Sequence, residues 1–175
     1  EGFMNFSYSN NSGKIHLEIN NLDKEFLYIN SLSRGIGNND LGLDRGQLGN
    51  TRIVFFTKRG NKILMVQPNT RYVSNSDNYL ENKAVEEAFA RSVLFSFEIV
   101  EKKNNNYIID LAPLLINDVH GVSQRLKDSN SGNYSLNKSM SAIELDRTKA
   151  FPKNIEFDVI LTFTGNPKGN LVRSV

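Results

Sequence analysis

Apolar and polar residues alternate with a period of two through much of this chain, and that period predicts strands. Residues 3–8 alternate, with Phe6 and Tyr8 on one face. Asn10, Asn11, Ser12 and Gly13 make a turn, and residues 14–19 alternate again. Ile15, Leu17 and Ile19 are expected inside there, and Lys14, His16 and Glu18 outside. Residues 25–33 predict a third strand. Its two faces, Phe26 with Tyr28 and Leu27 with Ile29, are both apolar, so the period leaves the buried face open. Residues 51–58 and 62–67 flank Arg59, Gly60 and Asn61 and give the clearest hairpin in the sequence.

The spacing then changes. Ala84 and Ala88, and Val85, Phe89 and Val93, recur at four residues, which predicts one amphipathic helix over about 80–91, capped by Ser76 or Asp77. From Val93 the period of two returns, giving a strand to about 101, a turn over 102–106 and an antiparallel return over 107–109. Asp110 is placed to cap a short helix through Leu114, Leu115 and Ile116. A second short helix is expected near 122–127. Residues 128–138 read as polar loop, and residues 141–145 and 155–163 as strands joined through 147–154. No internal repeat or linker divides the chain, so residues 1–175 are read as a single domain. The expected class is mainly β, of α+β type: antiparallel, hairpin-rich sheet arranged as a sandwich or a saddle, with two or three short helices.

Residues 34–50 break both periods. Gly35, Gly37, Gly42, Gly46 and Gly49 permit sharp reversals, and Leu41, Leu43 and Leu48 punctuate them. A long ordered loop of this kind is more often functional than a short one. Leu43, Asp44, Arg45 and Leu48 therefore form a candidate docking element for a neighbouring domain. Arg45 would either brace the loop through backbone carbonyls or present its fork to a partner carboxylate. The competing expectation is that the leucines tuck into this domain's own core.

Composition narrows the chemistry. A chain of 175 residues with 39% hydrophobic positions can bury a core. The net charge of +2 is nearly balanced, and Lys and Arg are scattered, which argues against a nucleic-acid partner. No apolar run reaches the roughly 18 residues that a membrane helix needs; the longest, 108–116, is broken by Asp110 and Pro113. Cysteine is absent, which removes thiol catalysis and thiolate metal sites. The chain begins at Glu1 and ends at Val175 in an extended-looking stretch, and both ends are read as cuts in a longer polypeptide.

No complete catalytic motif is present. A zinc peptidase needs two His one helical turn apart with a Glu beside the first. The two His here, His16 and His120, stand far apart; His16 reads as solvated and His120 as a turn or structural residue. The glycines of 34–50 lack the phosphate-loop pattern. Asp40 and Asp44 are read as turn caps, since the loop offers no third acidic ligand at calcium-loop spacing. No G-x-S-x-G elbow occurs. Arg45, Arg71, Arg147 and Arg173 are read as structural braces. Neither a catalytic nor a metal residue is assigned.

A set of longer motifs carries a resemblance. They are GLDRGQLG from Gly42 to Gly49, VQPNTRY from Val66 to Tyr72, SDN from Ser76, AVEEAFARSVLF from Ala84 to Phe95, DVHGV from Asp118 to Val122 and RTKAFPKN from Arg147 to Asn154. In this order, with the closing Val172 to Val175, the chain resembles the domain of unknown function number 5117, over about residues 3–175. That domain precedes the catalytic region in a group of large bacterial zinc-dependent metalloproteases. The resemblance implies a secreted, periplasmic or cell-envelope protein whose H-E-x-x-H zinc site lies in a domain further along. It implies no cofactor in this chain and zinc in the downstream domain. The expected partner is that catalytic domain, with a peptide substrate as a further candidate along a sheet edge. A stand-alone module of the cell envelope, binding glycan or protein through 34–50, is the alternative. An inhibitory segment that is processed away is a third reading.

Overall fold

The computed structural model describes residues 2–172. The chain order is β1 (Asn5–Ser9), β2 (Lys14–Ile19), β3 (Phe26–Ser31), β4 (Leu48–Arg59), β5 (Lys62–Gln67), α1 (Tyr79–Ala88), β6 (Ser92–Lys103), β7 (Asn106–Asp110), α2 (Ala112–Leu115), α3 (Val122–Asp128), β8 (Gly132–Ala150) and β9 (Ile155–Pro167). A short 3-10 turn, Asn39–Leu41, interrupts the loop between β3 and β4. Seven strands form one antiparallel sheet in the order β1-β2-β7-β6-β5-β4-β3, and β8 pairs with β9 alone. The expected mainly β, antiparallel, hairpin-rich class is the observed one. Its architecture is a curled sheet with a second hairpin laid against it.

The curl follows from which side chains must be buried. Ile15, Leu17 and Ile19 of β2, Val54 and Phe56 of β4, Ile63 and Met65 of β5, Phe97 of β6 and Ile109 of β7 share one face and one cluster. In a flat sheet, six strand spacings of about 4.8 Å would hold the edges β1 and β3 roughly 29 Å apart. Instead Phe3, just before β1, meets Phe26 of β3 with ring centroids 6.0 Å apart. The sheet therefore bends back until its two edges nearly meet over the core.

The β8–β9 hairpin covers the remaining seam. Phe157 packs on Phe6 of β1 with centroids 5.6 Å apart. Phe3 N donates to Phe151 O at 2.8 Å, which ties the hairpin tip to the start of β1. On the other edge Ser33 Oγ donates to Asp158 Oδ1 at 2.9 Å, and Arg34 pairs with Glu144 at 3.8 Å. The base of the hairpin closes a second core. Leu41 and Leu43 from the glycine-rich loop, Val122 and Leu126 from α3, and Phe163 from β9 are buried together there.

β8 carries two large bulges with one chemistry. Asn137 pairs with Thr162 and Ala142 with Ile160; Glu144 pairs with Asp158 and Lys149 with Glu156. Five steps on β8 thus oppose two on β9, twice. In the first bulge Ser141 Oγ donates to Asn137 O at 2.8 Å and accepts from Thr162 N at 3.0 Å. In the second Thr148 Oγ1 donates to Glu144 O at 3.0 Å and accepts from Asp158 N at 3.3 Å. Each hydroxyl replaces a lost ladder partner, and each bulge adds the twist that lets a long hairpin follow a curled sheet. Arg147, read as a brace, is one: its Nε lies 2.7 Å from Asp158 Oδ2.

Several expectations are corrected. The polar stretch 128–138 is not all loop: β8 begins at Gly132 and runs to Ala150, so the connection is only the turn over 151–154. The helix cap is neither Ser76 nor Asp77 but Asn78, whose side chain accepts from Leu80 N at 2.9 Å. The helix ends at Ala88. Phe89 leaves it to stack on Tyr72 with centroids 4.1 Å apart, while Val93 lies in β6, the strand expected to start there. Leu111, not Asp110, holds the formal cap position of α2, although the Asp110 carboxylate does accept from Ala112 N at 3.0 Å. Arg173 lies outside the described residues.

If the hairpin closes the seam, Phe6 and Phe157 are energetically coupled. A double-mutant cycle of Phe6→Ala and Phe157→Ala, followed by urea denaturation, is expected to show about 0.5–1.5 kcal/mol of interaction. Strict additivity would mean that hairpin and sheet are independent.

Candidate functional site

The glycine-rich loop is ordered by its own backbone. Leu32 N donates to Gln47 O at 2.9 Å, Ile36 N to Leu43 O at 2.9 Å and Gly46 N to Leu32 O at 2.8 Å. Gly35 is required because a Cβ there would overlap the Leu43 carbonyl and the Asp44 backbone. The structure divides the four candidate docking residues. Leu43 is buried in the second core, so it is an internal anchor and cannot touch a partner; Leu41 is buried with it. Asp44 is half-buried and accepts from Gln47 Nε2 at 2.9 Å. Arg45 is exposed at the loop tip, and Leu48 faces outward with 66% of its surface accessible.

Leu48 is not isolated. Leu27 and Ile29 of β3 and Ile53 of β4 are also exposed, and Leu27 sits directly opposite Ile53 in the ladder. Together they make an apolar stripe on the outer face at one edge of the sheet. Scattered apolar residues on a surface are ordinary; these four lie close together beside the edge strand β3.

The inner face of the same two strands carries the reverse pattern. Tyr28, Asn30, Asn50 and Arg52 line a cavity of about 180 Å³ at the open end of the curl, with Asn117 from the loop before α3. Leu94, Phe95 and Val119 form its apolar wall. Arg52 Nη1 donates to Gln67 Oε1 at 2.6 Å. Burial pushes the Tyr28 phenol above its ordinary value, and the Arg52 charge opposes that shift. A Cβ at Gly49 would overlap the Asn30 amide, so a larger residue there would displace that side chain.

Behind this mouth, Asn30 Nδ2 lies 3.0 Å from His120 Nδ1. An amide N–H donates, so Nδ1 accepts and the neutral ring carries its proton on Nε2. Nε2 is buried without a hydrogen-bond partner among the described residues. Asp118 sets the loop: its two oxygens accept from Val122 N at 2.7 Å and Ser123 N at 2.9 Å, and Gly121 takes φ 73° to allow it. His120, read from the sequence as a turn or structural residue, is buried just before α3 with Asn30 as its hydrogen-bond partner.

A third feature is a groove of about 500 Å³ beneath α1, floored by Phe55 and walled by Tyr72 and Phe89, with Asp23, Glu25 and Arg91 at its rim. No residue of α1 is buried, so the helix stands over the groove instead of filling it. Among the described residues no group of three or more His, Cys, Asp or Glu is placed to hold a metal ion. No helix among them is long and apolar enough to cross a membrane.

A curled antiparallel sheet, a seam-closing hairpin and small peripheral helices define a mainly β domain with polar groups gathered at one end. Residues 46–174 match the family model Domain of unknown function (DUF5117), and the chain belongs to that family. The match begins inside the glycine-rich loop and takes in β4 to β9, so β1 to β3 lie before it. No curated protein and no solved structure matches the chain.

His120 makes stability depend on pH. Burial first, and then the Arg125 charge, hold its imidazole below the ordinary 6.5, with Asp118 opposing. A depressed folded-state pKa means that the unfolded chain takes up the proton first as pH falls. The contribution of His120 is therefore complete above 6.5 and is lost as pH falls through the folded value. Urea melts between about pH 8 and about pH 5 are expected to show wild type losing more stability than His120→Asn. Parallel pH profiles would show that the ring is not held neutral.

Proposed function

We propose that this chain is a non-catalytic accessory domain of a secreted or periplasmic zinc-dependent metallopeptidase. It packs against a catalytic domain of the same polypeptide through the outer face of β3 and β4. The observation that supports this reading is the inverted patterning of that region. Leu27, Ile29, Leu48 and Ile53 face solvent, while Tyr28, Asn30 and Arg52 face the interior. Folding alone favours the opposite arrangement, so an outward apolar stripe suits a surface that another domain covers. Arg45, exposed one turn from Leu48, stands at the rim of such a contact, where a charged residue sets register and recognition more than affinity. A cell-envelope binding module is the second reading. The groove beside the stacked Tyr72 and Phe89 favours it, because aromatic faces suit sugar rings and apolar side chains alike.

The test uses the chain together with the H-E-x-x-H segment expected downstream. Leu48→Asp is expected to weaken association by roughly tenfold or more, the worth of one buried Leu. The melting temperature of the isolated domain should hold, since Leu48 is mostly exposed. Arg45→Ala should slow association without changing domain stability. Undiminished association of Leu48→Asp, or no downstream H-E-x-x-H segment, would defeat the proposal.

A further inference from the structure

We propose that the polar mouth of the curled sheet is a carboxylate-binding site. It takes a small organic acid whose carboxylate meets Arg52 and whose apolar end, a few carbons long, rests on Leu94, Phe95 and Val119.

The case begins with the charge. The Arg52 guanidinium has five N–H donors, and Gln67 takes one of them. No carboxylate lies within ion-pair distance of it among the described residues. Among the described residues the cavity it lines contains no acidic residue. Asp118 lies between the lining residues Asn117 and Val119, but its carboxylate is turned to the backbone of α3 and makes no ion pair with Arg52. A half-buried cation thus faces a cavity that holds no paired counterion among the described residues.

The neighbours of Arg52 are donors. The side chains of Tyr28, Asn50 and Asn117 make no hydrogen bond within the protein among the described residues, yet all three line the same space. The Tyr28 phenol carries its proton at neutral pH and so can donate. A brace between β4 and β5 would need only the one N–H that Gln67 accepts. It leaves out of account the remaining guanidinium edge and the half-buried Tyr28 and Asn117 beside it.

Size and charge select the ligand. One guanidinium matches one carboxylate, through two parallel N–H···O bonds. A phosphate dianion would meet half the charge it needs, and about 180 Å³ is too small for a nucleoside or a sugar chain. The wall of Phe95 and its neighbours gives the acid an apolar side to rest on. This site is on the inner face of β3 and β4, so it stands or falls separately from docking through the outer face.

Two sources present this chemistry: the free C-terminus of a peptide, and a free small acid. The ¹⁵N-labelled chain is titrated with N-acetyl-leucine, N-acetyl-leucinamide and 3-methylbutanoate while amide resonances are followed. N-acetyl-leucine is expected to shift the amides of Asn50, Arg52, Phe95 and Asn117 saturably in the millimolar range, and the leucinamide to leave them in place. Saturation by 3-methylbutanoate as well assigns the site to free acids; saturation by N-acetyl-leucine alone assigns it to peptide termini. Arg52→Met is expected to weaken binding on the order of tenfold to a hundredfold, and Arg52→Lys to recover part of it. Should Arg52→Met fail to fold, the contrast between acid and amide on the wild-type chain decides. Equal shifts by acid and amide, a folded Arg52→Met that binds undiminished, or no saturable shift at tens of millimolar would each overturn the proposal.

Discussion

One constraint governs this structure: a seven-stranded sheet has two unpaired edges and one apolar face, and both must be covered. Curling solves part of the problem by bringing Phe3 and Phe26 from opposite edges into contact. It does not pair the edges, so the seam stays open to water. The β8–β9 hairpin supplies the missing cover, with Ile143, Ile155 and Phe157 on the core. A long flat hairpin cannot follow a strongly curved surface. The bulges centred on Ser141 and Thr148 give it the extra twist, and their hydroxyls satisfy the backbone groups that the bulges would orphan. The hairpin's base must then be anchored, and this is where α3 and the glycine-rich loop meet Phe163.

The strands were legible in the sequence wherever one face is buried and the other solvated. β2 is the clean case: Ile15, Leu17 and Ile19 are buried, and Lys14, His16 and Glu18 point out. The β4–β5 hairpin was equally plain because Gly60 takes φ 57° at its turn. β8 was not legible, because three extra residues in each bulge reset the alternation twice and make one 19-residue strand look like fragments in polar loop. The fate of Leu41 and Leu43 was hidden for another reason. Their neighbours, Val122, Leu126 and Phe163, lie about eighty residues or more away, and no local period reports such a contact.

The polar mouth contains no motif that a sequence could display. Its residues come from four separate segments of the chain. A signal was nevertheless present. Asn30 shares the parity of Phe26 and Tyr28, and Asn50 and Arg52 share that of Val54 and Phe56. An inward row that turns from apolar to polar along a strand marks the end of the core and the start of a cavity. In β3 the ambiguity between two apolar faces concealed this, since Leu27 and Ile29 offered an equally good buried row.

That ambiguity is itself informative. A sequence selected only to fold would settle it by making one row of β3 polar and pointing it at water. Here the inner row ends in Asn30, and the outer row keeps Leu27 and Ile29 exposed. Each departure weakens the isolated domain: apolar surface stays in water, and polar groups sit where core would otherwise extend. The two departures occupy opposite faces of the same strand pair and meet at the start of β4, where Gly49 makes room for Asn30 while its neighbour Leu48 points outward. Local rules of folding are broken most often where a surface has work to do with another molecule. On that ground the proposed contact and the proposed carboxylate site both fall on the β3–β4 edge, with its apolar outer face and polar inner one, and the remaining strands would be its support.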